Sequence, residues 1–135
     1  SDWDNHAERN IQTGRRAPRL LKIADSVRSL KVYQADVEDR DGLATALDQI
    51  RASFGPIRGV LHTAGVIDDQ LLSLKQVEQC HKVLGPKVQG TRNISSCLKD
   101  DPIDFLVLYS SVSGLTGMTG QFDYAAANEF LDAYA

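Results

Sequence analysis

The stretch Ile103-Asp104-Phe105-Leu106-Val107-Leu108-Tyr109-Ser110-Ser111 decides the fold. Its centre, Phe105 to Leu108, is a nearly continuous apolar run, which suits a parallel strand covered on both faces. The strand is expected over 103–109. Working upstream, Ile57 to Thr63 reads as a second strand with Val60 and Leu61 at its centre, Lys31 to Ala35 as a third, and the weakly apolar Glu8 to Thr13 as a short fourth. Helical spacing fills the gaps. Leu20, Ile23, Ala24, Val27 and Leu30 form one stripe; Leu43, Leu47, Ile50 and Phe54 form another on a helix from Arg40 to Phe54 that Gly55-Pro56 stops. Ser73-Leu74-Lys75-Gln76 reads as a capping box, with Ser73 as cap and Gln76 reaching back. It opens a short helix to Leu84. Gly85-Pro86 interrupts that helix, and Pro86 suits the first turn of the next, which carries Val88, Thr91, Ile94, Ser95 and Leu98. Downstream lie a loop with Gly114, Gly117 and Gly120 and an alanine-rich helix over Gln121–Ala135. Strands alternating with helices predict an α/β fold with a parallel sheet.

The chain has 135 residues, enough for one domain and one core, and neither a repeat nor an inter-domain linker is visible. Its hydrophobic fraction of 42% and charged fraction of 24% are ordinary globular values. A net charge of −3 with both signs dispersed argues against nucleic acid as a partner. No apolar run reaches membrane-span length, and the polar Ser1–Asn10 is no signal peptide. Cys80 and Cys97 are expected to be reduced thiols in a cytoplasmic protein. His6, His62 and His81 lack metal-ligand spacing, so no metal is assigned. His62, ending an apolar strand, is expected to be packed and hydrogen-bonded.

In open α/β sheets ligands sit beyond the carboxyl ends of the strands. The residues there are Thr13-Gly14-Arg15-Arg16, Asp36-Val37, Thr63-Ala64-Gly65 and Ser110-Ser111. A basic pair, an acid, a small-residue turn and hydroxyls together suit a nucleotide cleft. A strand followed by G-x-G-x-x-G, which brings backbone N–H groups to a pyrophosphate, does not occur. The glycines at 114, 117 and 120 have a different spacing and read as a flexible wall beside a substrate.

Four motifs follow in order: Gly59-Val60-Leu61-His62-Thr63-Ala64-Gly65-Val66-Ile67-Asp68-Asp69, Gly85-Pro86-Lys87-Val88-Gln89-Gly90-Thr91, Leu108-Tyr109-Ser110-Ser111, and Gly120-Gln121-Phe122-Asp123-Tyr124-Ala125-Ala126-Ala127-Asn128. Together they resemble the ketoreductase domain of modular polyketide synthases, a branch of the short-chain dehydrogenase/reductase superfamily. The resemblance runs from about Ile11 to the end. It implies a Rossmann-like, doubly wound parallel sheet, here truncated at both ends: a partial ketoreductase domain over 1–135, without the first strand and glycine-rich loop and without the last strand and lid.

The resemblance carries the site over residue by residue. The family serine precedes its tyrosine by thirteen residues, which gives Ser111 and Tyr124; its asparagine follows by four, which gives Asn128; its lysine lies in P-K-V-x-G, which gives Lys87. Most other short-chain reductases carry their lysine four residues after the tyrosine, where Asn128 stands, so the synthase type is favoured over a free-standing reductase. The implied chemistry is reduction of a ketone, with hydride from NADPH and a proton from Tyr124. The Lys87 ammonium favours the phenolate and, in the family, also contacts the nicotinamide ribose. Ser111 hydrogen-bonds the carbonyl oxygen. Asn128, one helical turn from Tyr124, holds a water that replenishes the proton. Each residue alone has a plainer reading: a turn cap, a packed aromatic, a backbone partner, a solvated lysine.

The same resemblance implies that Thr13, Arg15 and Arg16 hold the adenosine 2′-phosphate, that Asp36 and Val37 lie beside the adenine, and that Ala64 and Gly65 let the backbone approach the cofactor. Ile67-Asp68-Asp69 resembles the Leu-Asp-Asp motif of ketoreductases giving D-configured 3-hydroxyl products, which puts Asp69 and Gln121 on the substrate side. Thr116 stands where the opposite class has tryptophan, which agrees; Thr119 stands where a proline usually accompanies the motif, which does not. The implied substrate is a 3-ketoacyl thioester on the phosphopantetheine arm of an acyl carrier protein, with other synthase domains in cis. The alternatives are a free-standing reductase and a catalytically silent fragment. Alone, the chain is expected to bind NADPH weakly or not at all.

Overall fold

A computed structural model describes residues 17–135. The expected strand Glu8–Thr13 lies outside the described residues. The chain divides at Tyr33/Gln34 into two units. The first contributes helix α1, Ala17–Ala24. The expected stripe continued to Leu30, but the helix stops earlier. Ser26 donates its N–H to Ile23 O at 2.9 Å and its hydroxyl to Lys22 O at 3.1 Å, taking up carbonyls at the helix end.

The expected strand Lys31–Ala35 does not appear as one: among the described residues, 31–36 join no ladder. A parallel strand exists only through a hydrogen-bonded neighbour. Among the described residues the sheet has two strands, which pair with each other.

In the second unit, helix α2 spans Arg40–Phe54, with the bounds its local signals predict. Asp39 caps it, Oδ1 accepting from Asp41 N–H at 3.2 Å and Gly42 N–H at 3.1 Å. Gly55 closes it at φ 82°, where a side chain would be strained, and donates to Arg51 O at 2.8 Å.

Strand β1, Gly59–His62, leads through helix α3, Val77–Cys97, to strand β2, Phe105–Leu108. The strands are parallel, with Val60 opposite Leu106 and His62 opposite Leu108. Val60 and Leu106 pack with Leu43 and Leu47 of α2, Ile94 of α3, and Leu98. The opposite face of β2 departs from the expected double cover: Phe105 and Val107 stay exposed, as does Leu61 of β1. The helices of this unit cover the Val60–Leu106 face, and the pleat turns alternate residues away from them.

Helix α3 is continuous, where two helices were expected. Pro86 lies inside it. A proline there forfeits one helical hydrogen bond, at a cost of about 3 kcal/mol. Burial holds the helix together through that point: Val83, Pro86, Lys87, Gly90 and Thr91 are all buried. The start also differs. Ser73 sits in a turn with Leu74 N–H and Lys75 N–H on Leu71 O, at 2.9 and 3.1 Å. Gln76 is the N-cap instead, and its N–H donates to Gln79 Oε1 at 2.9 Å.

The far end of α3 is pinned by charge. Arg51 of α2 donates from Nη2 to Asp101 Oδ2 at 2.6 Å and to Cys97 O at 2.8 Å, and Asp101 Oδ1 accepts from Ile57 N–H at 3.0 Å. The Arg51 hydrogen bond holds the Asp101 carboxyl below the usual range.

After β2, the expected glycine loop contains one helical turn, α4 (Ser113–Thr116), and the chain ends in α5 (Phe122–Tyr134). Helix α5 packs on α3 and α4. Gly114 serves that packing, since a Cβ there would lie 3.2 Å from Glu129 N.

Candidate active site

The carboxyl ends of β1 and β2 stay together beyond the ladder, Tyr109 N–H donating to His62 O at 3.1 Å. The carbonyl of Tyr109 is therefore fixed at the rim of the sheet. Lys87 reaches it from α3, Nζ donating to Tyr109 O at 2.6 Å. The same Nζ lies 5.9 Å from the centroid of the Tyr124 ring. Lys87 is 5% exposed. Burial pushes its pKa below 10.5, opposed by the Asp132 carboxylate.

Two small features make room for this lysine. A Cβ on Gly65 would meet Lys87 Cε at 3.2 Å, so the Ala64-Gly65 turn carries a glycine where the lysine stem passes. His62 Nε2 lies 3.2 Å from Pro86 O, the carbonyl just before Lys87. His62 is buried and hydrogen-bonded as expected. Burial lowers its pKa from 6.5, the Pro86 hydrogen bond opposes, and the Lys87 charge adds to the lowering.

Helix α5 brings the other two side chains. Asn128 is fully buried and donates from Nδ2 to Tyr124 O at 2.7 Å. Its Oδ1 is buried without a hydrogen-bond partner. Ser110 Oγ donates to Asn128 O at 3.3 Å, tying the end of β2 to α5. Ser111 Oγ accepts from Ser113 N–H at 3.3 Å and Ser113 Oγ at 3.1 Å, which orients the hydroxyl from α4. Lys87, Tyr124, Asn128 and the Ser110-Ser111 corner thus converge beyond the carboxyl ends of the strands, the usual ligand position in an α/β sheet.

Asp69 and Gln121 meet directly, Gln121 Nε2 donating to Asp69 Oδ2 at 2.8 Å. Asp36 and Val37 form the turn before α2, Asp36 Oδ1 accepting from Glu38 N–H at 2.9 Å. Thr13, Arg15 and Arg16 lie outside the described residues. Among the described residues, no group of three or more His, Cys, Asp or Glu could hold a metal, and no helix is long and apolar enough to cross a membrane.

Three residues to which the sequence assigns no role stand at this site. Asn93 donates from Nδ2 to Val37 O and Glu38 O, both at 2.9 Å, and so holds the Asp36-Val37 turn. Lys75 and Asp123 form a buried ion pair at 2.8 Å beside Tyr124. The one sequence cue was the adjacency of Asp123 to Tyr124. Lys75 had none, since its partner comes to it only through the tertiary fold.

A family model for the KR domain matches residues 5–135. Polyketide synthase PksN of Bacillus subtilis (strain 168) is 39% identical over 120 residues, covering 89% of this chain and 2% of that protein. Reducing polyketide synthase PKS1 of Cochliobolus heterostrophus is 45% identical over 104 residues, covering 77% and 4%. Among solved structures, a ketoreductase domain from the bacillaene assembly line superposes with a TM-score of 0.81 at 39% identity, covering 89% of this chain and 29% of the other. A short-chain dehydrogenase from Mycobacterium avium, at a TM-score of 0.74 and 19% identity over 87% of this chain and 44% of its own, shares the fold. The chain therefore spans a few per cent of the length of these curated synthases, and it belongs to the ketoreductase (KR) domain family of polyketide synthases.

Proposed function

We propose that this chain carries the proton-transfer centre of a ketoreductase that reduces a 3-ketoacyl thioester, held on the phosphopantetheine arm of an acyl carrier protein, to the 3-hydroxyacyl thioester. Other synthase domains act on the same substrate in cis, in the cytoplasm. The observation that carries the reading is the buried Lys87 ammonium, 5.9 Å from the Tyr124 ring centroid and tied to Tyr109 O. Burying a cation is costly unless its charge is used. Beside a phenol it stabilises negative charge as the proton leaves.

Tyr124 donates its proton to the substrate oxygen. Ser111, held by Ser113, donates a hydrogen bond to that oxygen as charge builds. The unpartnered Oδ1 of Asn128 accepts from a water that returns the proton. The residues fit a nicotinamide cofactor: the Gly65 turn is open where a Cβ would intrude on Lys87, and the orphan Asn128 oxygen leaves a polar position beside Tyr124. NADPH, when bound, supplies hydride. Ala64, Gly65, Lys87 and Tyr124 would hold its nicotinamide end, Asp36 and Val37 its adenine, and Thr13, Arg15 and Arg16 its 2′-phosphate. The Asp69–Gln121 hydrogen bond supports a fixed wall on the substrate side, and we assign the product the D configuration.

The test uses the longest natural chain containing these residues, with NADPH and a 3-ketoacyl pantetheine thioester, followed by nicotinamide absorbance. Tyr124→Phe should lower turnover by about a thousandfold with melting temperature unchanged. Activity within a few fold of wild type removes Tyr124 from its role, and an L-configured product on chiral chromatography overturns the stereochemical assignment.

A further inference from the structure

The chemistry above leaves one buried charged pair unused. Lys75 and Asp123 approach to 2.8 Å, and both side chains are 1% exposed. The ammonium reaches Asp123 Oδ2 as a neighbouring charge, off the hydrogen-bond direction. Lys75 Nζ also donates to Asp68 O. Burial disfavours the ammonium, but the closely approached Asp123 carboxylate outweighs it, with Asp68 adding to the same effect, and Lys75 stays protonated through the neutral range.

The pair lies inside a set of contacts joining two segments. Gln79 Nε2 donates to Asp68 Oδ2 at 3.4 Å, Gln70 N–H to Gly120 O at 2.9 Å, and Gln121 Nε2 to Asp69 Oδ2 at 2.8 Å. Asp123 Oδ1 accepts the backbone N–H of Tyr124 at 2.9 Å. That N–H lies in the first turn of α5, where no helical carbonyl is available to it. One carboxylate thus binds the Tyr124 backbone with one oxygen and faces Lys75 with the other. Gly120, at φ 80°, turns the chain so that its carbonyl faces Gln70.

A buried ion pair is a poor source of stability, because desolvation of two ions consumes most of their attraction. Its consequence here is geometric. We infer that Lys75 and Asp123 are positioning residues for Tyr124: they clamp the Asp68-Asp69-Gln70 segment to the first turn of α5 and so set where the phenol stands relative to the substrate wall. Neither residue touches the reacting atoms. The inference rests on the proposed function for its catalytic consequence, and on the contacts alone for the clamp.

The experiment is a double-mutant cycle in the longest natural chain containing these residues, with Lys75→Met, Asp123→Asn and the double variant. Asparagine retains an oxygen for the Tyr124 N–H, and the double variant leaves no buried charge unpaired, so it folds even where Lys75→Met does not. Hydrogen exchange and reduction of a 3-ketoacyl pantetheine thioester are both read. Each variant should lose protection over 68–70 and 120–124. Turnover should fall about tenfold or more with KM within about threefold, as for a displaced catalytic group. The double variant should lose no more than the worse single one, because the two act as one unit. Losses that multiply in the double variant overturn the clamp, as does unchanged exchange in both segments. A wild type that reduces no such thioester defeats the proposed function, while the exchange data still decide the clamp.

Discussion

Lys87→Met removes the ammonium and keeps most of the side-chain volume, so it isolates the charge. Taking the Tyr124 ring centroid as the location of the developing negative charge, the separation is 5.9 Å. At that distance, with an effective dielectric of about 20, the attraction is about 3 kcal/mol. That corresponds to about a hundredfold in rate. The stability balance is smaller. Losing the bond to Tyr109 O leaves a carbonyl unmet, at about 1–3 kcal/mol, while the desolvation that lowers the Lys87 pKa is relieved. The two oppose, so the melting temperature should move by only a few degrees. Turnover of a 3-ketoacyl thioester and thermal melting are measured on the same preparation. Screening should be weak because the pair is part-buried, so the loss should persist at high salt. Turnover within threefold of wild type would refute the electrostatic role. A collapse in melting temperature matching the loss of activity would assign Lys87 to the core instead.

Other consequences are as direct. The folded His62 pKa lies below 6.5, so the unfolded chain binds the proton more readily; stability is full above that value and is lost as pH falls from it through the folded pKa. Melting temperature against pH should show this, and His62→Gln, which keeps a donor for Pro86 O, should flatten the slope; an unchanged slope removes His62 from the effect. Leu131→Ala, at a position 1% exposed on α5, should cost about 2–5 kcal/mol in denaturant unfolding, and an unchanged midpoint would mean that α5 does not dock as described. Gly90→Ala puts a methyl 2.8 Å from Val37 Cγ2; overpacking at about 1–3 kcal/mol outweighs a helix-propensity gain of about 1 kcal/mol, so a net loss is expected, and a more stable variant would overturn it.

Local signals were legible where they suffice. Helix α2 begins at a cap and ends at a glycine within one turn of its own residues, so Arg40 and Phe54 were readable. The strand centres were readable too, because the apolar runs carry them, while their ends depend on the partner strand: β1 and β2 stop where the register between them stops. The Lys31–Ala35 reading failed for the same reason, since a ladder is not a property of one segment. Gly85-Pro86 misled because it is a local stop signal overridden by burial on both sides of it. At the site, Tyr124 and Asn128 share one helix face and could be paired by spacing. Lys87 could be placed there only by resemblance, and Lys75 by neither route, since nothing in the order of residues points it at Asp123.

The unbroken α3 has a consequence for anyone recombining such domains. Its entry is fixed by Gln76 and Gln79, which sits on the Asp68 carboxylate; its middle presents Lys87; and Asn93 holds the turn at Val37 and Glu38. At 1.5 Å per residue, about 9 Å of rigid rod separates Lys87 from Asn93. The helix works as a ruler. A chimera whose junction falls between Val77 and Cys97 would set the two ends from different parents, and any mismatch in tilt would appear as a misregistered lysine. Junctions placed in the turn before Gln76 or after Asp101 keep the ruler whole.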